Sequence, residues 1–182
     1  NEGLDEGPIL LQKTVAIGTD ESLGDVYFKK LFPMGVEAML ESLDLVKAGV
    51  LLKHDQRLAD GSYESWFKKD LAQLDWTKPA AELYNTIRAA NPAPGAWGTI
   101  KGVKLDIYDS AKASGSGKPG EVVSVSADGM AVAASGGAVL VKRVRAPGGQ
   151  KIAASEWAAS AGVRAGDVFD AWTAPPPPKP KA

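Results

Sequence analysis

Cysteine is absent from this chain, and histidine occurs only once, as His54. Without thiols there are no disulfides, thiolate metal ligands or cysteine nucleophiles, so the chain needs no oxidising compartment and we predict a cytoplasmic protein. A single histidine also excludes a histidine-rich metal centre, and we expect no metal cofactor. No apolar run approaches the roughly 18 residues that cross a bilayer, so we expect no membrane partner.

A large excess of one charge is also lacking, because the formal net charge is −1, but the two parts of the chain differ. Residues 1–97 hold 10 Lys and Arg against 15 Asp and Glu, whereas residues 98–182 hold 11 against 7. The first part is therefore acidic and the second basic. Such asymmetry is typical of a surface that meets a polyanion, although solvation of charged side chains explains it equally well.

The first 50 residues combine one apolar stretch with two helical patterns. The segment "ILLQKTVAI" at 9–17 has the composition of a largely buried strand. Thr19, followed by acids, predicts the cap of a helix over 20–32. Pro33 interrupts that helix or opens a second one, whose apolar residues lie three and four positions apart and are expected in the core. These residues are Val36, Met39, Leu40, Leu43 and Val46.

The second half has a different character, with short strands separated by glycine turns. Residues 96–152 contain five or six such strands, and we predict a small closed barrel because closure removes exposed strand edges. A helical pattern at 78–90 precedes the strands, and its residues Ala80, Leu83, Tyr84 and Ile87 share one face. A brief helix that ends at Gly162 follows the strands. The ending "APPPPKPKA" is typical of a disordered, polyproline-type tail.

Acidic residues stand between glycines in "GLDEGPIL" at 3–10, directly ahead of the apolar stretch. The residues alone favour a turn, since Asp5 can bond its own backbone, Gly7 accepts positive φ and Pro8 cannot donate to a ladder. A catalytic aspartate at the end of a strand connection is the alternative.

Two further motifs predict no chemistry on their own. "GSGKPG" at 115–120 resembles a phosphate-binding loop, but Pro119 replaces the Ser or Thr that follows the lysine and no helix is predicted after it. We interpret it as a flexible hairpin connection. His54 lies beside Asp55, yet neighbouring side chains of an extended chain point apart, so we expect an ordinary exposed histidine.

Basic residues cluster on the last long strand, where Arg143 and Arg145 are predicted to share one face, with Lys142 on the other. Small barrels bind oligonucleotides through phosphate charge and through stacking of bases on aromatic rings. Trp97 and Tyr108 are the candidate stacking residues. A solvated strand face is the competing interpretation of the same pattern.

Three stretches, in order and spacing, resemble the formyltransferase family that uses 10-formyltetrahydrofolate. They are "GLDEGPIL", "SLGDVYFKKLFPMGVEAMLESLDLVKAG" and "DWTKPAAELYNTIRAANPAPGAW". The resemblance covers roughly residues 1–170, and it implies an α+β chain. The expected parts are the remnant of an α/β, Rossmann-like catalytic domain (1–50), a linker (51–69), a small antiparallel OB-like barrel (70–170) and the proline-rich tail (171–182).

The resemblance also implies a chemical role for one residue. In the family, the stretch like "GLDEGPI" ends the core motif of the catalytic domain, and its aspartate belongs to an Asn, His, Asp constellation. That role carries over to Asp5 alone, because the Asn-x-His motif and the folate-cradling loop of the family lie upstream of the segment where this sequence begins. His54 follows the motif and is not the family histidine, so we expect this chain alone to be inactive.

The function stays open among three possibilities, two of which differ in the formyl acceptor. The transferase branch implies transfer from the co-substrate 10-formyltetrahydrofolate to an amine, most often that of initiator methionyl-tRNA, which the barrel helps to hold. "LFPMGVEAM" and "LVKRVRAPGGQKIAASEW" look more like a hydrolase branch, in which water accepts the formyl group and formate is released. A non-catalytic module, whose barrel binds RNA through Lys142, Arg143 and Arg145, is the alternative of another class.

Overall fold

The computed structural model describes residues 5–50, 53–62 and 66–174. The chain divides into two compact units, Asn1–Trp66 and Phe67–Ala182. Parts of three predicted segments lie outside the described residues: the first residues of "GLDEGPIL", several linker positions and most of the proline-rich tail.

Helices dominate the described part of the first unit. Helix α1 (Leu23–Val26) continues through a π-helical turn (Tyr27–Leu31) into α2 (Phe32–Lys47), and Pro33 lies in the first turn of α2, as predicted. The expected start near Asp20 with a Thr19 cap is wrong. Ser22 caps α1 instead: its hydroxyl accepts from the Asp25 amide (3.2 Å), and the Asp25 carboxylate accepts from the Ser22 amide (3.1 Å). This reciprocal box satisfies two amides that Thr19 would leave unpaired.

The apolar residues of α2 lie on one helical face, but the expectation that this face is core is wrong. Met39 is 63% exposed and Leu40 59% exposed. Within the described residues of the first unit, only Gly24 and Val26 are buried. The spacing of the apolar residues determines which face of α2 is apolar, but burial requires a second apolar surface packed on that face. The described residues of this unit place no such surface against α2.

The strand predicted at 9–17 is also wrong. In this stretch the described chain pairs only at Ile9, whose amide donates to the His54 carbonyl (2.9 Å) and whose carbonyl accepts from the His54 amide (3.0 Å). A β-branched, apolar composition favours a strand only where neighbouring strands can satisfy its backbone. The described residues of the first unit contain no such neighbours.

The second unit is built on an antiparallel sheet, and the short strands predicted between residues 96 and 152 are confirmed. They are β1 (Ala96–Ile100), β2 (Val103–Ala113), β3 (Val122–Ser126), β4 (Gly129–Ala134), β5 (Gly137–Arg145) and β6 (Ile152–Ala153). The sheet order is β1-β2-β5-β4-β3, and β6 pairs with β5.

Two helices cover the core of the second unit. Helix α3 (Ala80–Ala89) buries the predicted face, and α4 (Ala154–Ala161) ends at Gly162, whose φ of 63° is the left-handed cap expected there. Side chains from β1, β2, β4 and β5 form the centre of this core. Fully buried examples are Ile100, Leu105, Ile107, Met130, Val139, Val141 and Val144.

The two edges of the sheet are joined by an irregular segment. No strand ladder links β1 to β3 in the described residues, so the predicted closed barrel of OB type is not confirmed. Residues 166–170 lie between these edges. The Phe169 amide donates to the Gly120 carbonyl next to β3 (2.9 Å), and the Asp170 amide donates to Thr99 in β1 (2.8 Å).

Candidate functional site

Asp5, the predicted catalytic residue, lies in an exposed turn of the first unit. Its φ is 58°, a left-handed conformation that aspartate adopts more readily than most side chains. Gln56 holds the turn, since its Nε2 donates to the carbonyls of Asp5 (2.8 Å) and Gly7 (2.7 Å). Among the described residues the Asp5 carboxylate has no hydrogen-bond partner, so it is available to a group outside them.

His54 is exposed, as predicted. The Ile9 bridge brings the backbone of residue 54 beside the Asp5 segment, although the two lie far apart in sequence. Within the part of the chain that the structure describes, the imidazole makes no hydrogen bond to Asp5. The structure therefore does not pair the His54 imidazole with the Asp5 carboxylate as a proton-accepting group.

Cations gather on one face of the second unit, which we call the basic face. Its residues are Lys69, Lys104, Asp106, Arg145 and Lys151, together with the rings of Trp97 and Tyr108. Cross-strand pairing creates it, because Trp97 lies opposite Asp106, and Asp106 lies opposite Arg145. Residues directly opposite one another in a sheet project from the same face.

A single carboxylate organises two of these cations. Asp106 accepts hydrogen bonds from the Lys69 ammonium and from Nη2 of Arg145 (3.0 Å). The Lys69 ammonium also donates to the carbonyls of Pro94 and Gly95, each at 3.0 Å. All three ammonium donors of Lys69 therefore have partners.

The Asp106 carboxyl is only 16% exposed, and its surroundings shift its acidity. Desolvation raises the pKa of Asp106, but hydrogen bonds from Lys69 and Arg145 outweigh it, so the pKa lies below the ordinary value. The hydrogen bond to Asp106 in turn raises the pKa of Arg145. Burial and the nearby Asp106 charge raise the pKa of Tyr108. The carboxylate therefore stays ionised near neutral pH.

The three cations predicted on β5 are all exposed, but they are not equivalent. Arg145 pairs with Asp106, whereas Nη2 of Arg143 donates to the Lys151 carbonyl (3.0 Å) and its Nε lies 4.0 Å from Asp109. The guanidinium groups of both arginines are therefore turned toward groups of this chain.

The simple alternation expected along β5 is wrong at Lys142. Opposite β2, the register skips Tyr108 and Lys142, so each strand carries a bulge there. Lys142 and Arg143 are therefore exposed in succession. Gly129 of β4 lies against this bulge, since a Cβ at that position would stand 2.2 Å from the Val141 carbonyl oxygen.

The two rings expected to stack on bases are covered by lysines. The Lys104 ammonium lies 3.7 Å from the centre of the Trp97 ring, and that of Lys151 lies 3.8 Å from the centre of Tyr108. Tyr108 is only 4% exposed, so the prediction that its ring stacks on a base is wrong. Each pair is a cation–π contact that holds an ammonium in place.

Sequence reasoning missed Lys69, Lys104, Asp106 and Lys151. Lys104 and Asp106 carried a usable signal, because charges two apart on a strand share a face. Lys69 carried none, since it lies 37 positions before Asp106 and outside the strands. Lys69, Lys104, Asp106 and Arg145 line an open cavity of about 470 Å³, together with the 147–149 turn that follows β5.

The rejected phosphate-loop motif forms the connection between β2 and β3, where the Glu121 carboxylate accepts from the Lys118 amide (2.8 Å). This interpretation as a loop is confirmed. Among the described residues, no three or more His, Cys, Asp or Glu side chains gather into a group that could hold a metal ion. In the described part of the chain, no helix has the length and apolar content that a bilayer crossing requires.

Comparison with known proteins identifies the second unit. Residues 67–162 match the family model described as "Formyl transferase, C-terminal domain". Methionyl-tRNA formyltransferase of Geotalea uraniireducens is 32% identical over 92% of this chain and 53% of its own length. The enzyme of that name from Pseudomonas paraeruginosa is 36% identical over 83% of this chain and 48% of its own. The chain thus spans about half the length of such relatives.

Solved structures give the same fold. A variant of HypX from Aquifex aeolicus superposes with a TM-score of 0.72 at 20% identity, covering 88% of this chain and 29% of that one. The crystal structure of HypX in complex with tetrahydrofolic acid has a TM-score of 0.67 at 20% identity, covering 87% and 28%. At this identity the likeness shows the fold alone.

Proposed function

Because the chain belongs to the formyl transferase family through its C-terminal domain, we propose that it is the C-terminal portion of an enzyme that formylates methionyl-tRNA. The formyl donor is 10-formyltetrahydrofolate. Relatives named methionyl-tRNA formyltransferase, 31 to 36% identical to this chain, support the acceptor. The tetrahydrofolic acid bound in HypX supports the donor. The observation that carries the choice of a tRNA acceptor is the basic face of the second unit.

The domain organisation follows from the same proposal. Residues 1–50 are the end of the catalytic domain, 51–69 the linker and 70–170 the C-terminal domain, which closes as an OB-type barrel through the segment at 166–170. The family match at 67–162 and the unit boundary at Phe67 support this division. In this proposal the protein acts in the cytoplasm.

The reaction requires proton transfer. The amine of methionyl-tRNA attacks the formyl carbonyl, so one group must accept the amine proton while another stabilises the developing oxyanion. In this proposal Asp5 orients a histidine of the longer protein and balances its charge as the histidine takes the proton. The exposed Asp5 carboxylate, unpaired among the described residues, supports this role. The 182-residue chain alone is inactive.

Substitution of Asp5 in the longer protein tests this role. Asp5→Asn keeps the side-chain volume but removes the charge, and we expect turnover to fall by about 10²- to 10⁴-fold. The measurement is formyl transfer from 10-formyltetrahydrofolate to methionyl-tRNA, with Glu6→Gln as the neighbouring control. Near-normal rates in Asp5→Asn would remove Asp5 from the mechanism.

A hydrolase is the second candidate, because "LFPMGVEAM" and "LVKRVRAPGGQKIAASEW" resemble that branch. Water then replaces the amine, and formate and tetrahydrofolate are the products. Incubating the longer protein with 10-formyltetrahydrofolate, with and without methionyl-tRNA, separates the two. We expect formyl-methionyl-tRNA to accumulate, whereas formate release at the same rate without tRNA would support the hydrolase. Binding of tRNA without either reaction would leave a non-catalytic RNA-binding module.

A further inference from the structure

The cations of the basic face differ in whether they pair with a carboxylate. Lys69 and Arg145 both donate to Asp106, and the ammonium of Lys69 has no donor left for a ligand. Arg143 on the neighbouring part of β5 lies near Asp109. A phosphate that approaches Lys69 must displace a carbonyl or a carboxylate of the protein itself. One that approaches Arg145 or Arg143 meets the negative charge of the neighbouring Asp106 or Asp109.

Lys104 and Lys151 are held in another way. Each ammonium lies over an aromatic ring, at 3.7 Å from Trp97 and 3.8 Å from Tyr108, and neither pairs with a carboxylate among the described residues. A ring orients the ammonium without neutralising its charge, so both cations remain available to an anion. Trp97 is itself fixed, because its Nε1 donates to the Lys69 carbonyl (2.6 Å).

We propose that Lys104 and Lys151, rather than Arg143 and Arg145, are the residues that contact RNA phosphates on the basic face, and that Asp106 holds Lys69 and Arg145 away from them. This inference rests on the proposed function, since it takes tRNA as the partner. Asp106 is a positioning residue: it restricts phosphate contact to the two ring-held lysines.

Salt dependence of binding tests the proposal. The 182-residue chain is titrated with uncharged initiator tRNA by fluorescence anisotropy, between about 50 and 200 mM salt. Each phosphate neutralised contributes about 0.7 to 0.9 to the slope of log K against log salt. Lys104→Ala/Lys151→Ala should reduce the slope by about 1.4 to 1.8. Arg143→Ala/Arg145→Ala should reduce the slope by less than about half of the reduction expected for the lysine variant.

The control removes two lysines from elsewhere in the second unit, Lys78→Ala/Lys118→Ala, and should leave the slope near that of the unaltered chain. Circular dichroism melts verify folding of each variant. If the alanine pair at 104 and 151 does not fold, Lys104→Gln/Lys151→Gln replaces it. The proposal would be overturned if the variant at Lys104 and Lys151 had the same slope as the control. It would also be overturned if the arginine variant lost more of the slope than the lysine variant.

Asp106→Asn gives a second measurement with the opposite sign. It removes the negative charge that Lys69 and Arg145 share, although Lys69 keeps its hydrogen bonds to the Pro94 and Gly95 carbonyls. Affinity for tRNA should therefore rise, and the slope should steepen by about 1 or more. A merely structural role for Asp106 would lower affinity, and that result counts against the proposal. Failure of formyl transfer in the longer protein, with these binding results intact, would remove the proposed function but not the assignment of the lysines.

Discussion

Asp106 joins parts of the chain that the sequence keeps apart. Its carboxylate lies 37 positions from Lys69 and 39 from Arg145, and it accepts hydrogen bonds from both. Charge-assisted hydrogen bonds of this kind are stronger than neutral ones, and loss of one partner leaves the other charges half-buried. We therefore expect Asp106 to stabilise the second unit as well as to organise the basic face.

Asp106→Asn should lower the free energy of unfolding by about 1 to 3 kcal/mol at pH 7. Because the pKa of Asp106 is lowered in the folded chain, this stabilisation is present above the unfolded value of about 3.9 and is lost as pH falls through the folded pKa. Urea unfolding at several pH values measures it. Asp170→Asn, an exposed carboxylate, serves as the control, and a difference that persists unchanged at about pH 2 would contradict the assignment.

At the scale of elements, the segment at 166–170 depends on Phe169. This side chain is 3% exposed, and its ring centre lies 4.9 Å from that of Trp76. Gly98 of β1 leaves the space it occupies, because a Cβ there would stand 3.0 Å from the Phe169 ring. The segment thus connects the two sheet edges through both its backbone and one buried ring.

Phe169→Ala should destabilise the second unit by about 3 to 5 kcal/mol, since it removes a buried ring and leaves a cavity beside Trp76. Tryptophan fluorescence during urea unfolding reports this loss. The neighbouring exposed residue supplies the control, and Val168→Ala should cost less than about 1 kcal/mol. Equal effects of the two substitutions would mean that the segment does not rely on the Phe169 ring.

At the scale of the whole molecule, the two units differ in how much core they contain. The second unit buries side chains from α3, α4 and the sheet, whereas the described residues of the first unit bury only Gly24 and Val26. Burial of apolar surface is the main favourable term in folding. The stability of the chain therefore resides in the second unit.

A chain beginning at Phe67 should fold on its own, with a cooperative thermal transition within a few degrees of that of the 182-residue chain. Residues 1–66 alone should show no cooperative transition, because their exposed apolar face on α2 lacks a partner among the described residues. Calorimetry and circular dichroism measure both. A melt of the Phe67 fragment without cooperativity would contradict the assignment of the core.

The sequence by itself determined the local elements of the second unit and the family. Short runs of β-branched residues between glycine turns predicted the strands, and three- and four-residue spacing predicted the buried face of α3, since these signals depend on neighbours in the chain. Local patterning also placed α2, with Pro33 in its first turn. It did not determine whether the α2 face is buried or whether residues 9–17 form a strand.

Only the tertiary structure decided which cations on and beside the basic face already pair with a carboxylate. Arg143 and Arg145 appeared equivalent along β5, but each meets a different carboxylate of β2 through a register that includes two bulges. The residues left available, Lys104 and Lys151, depend on rings brought to them by cross-strand pairing and by a turn. Pairing across tens of residues follows from the packing of the whole unit, and no local pattern encodes it.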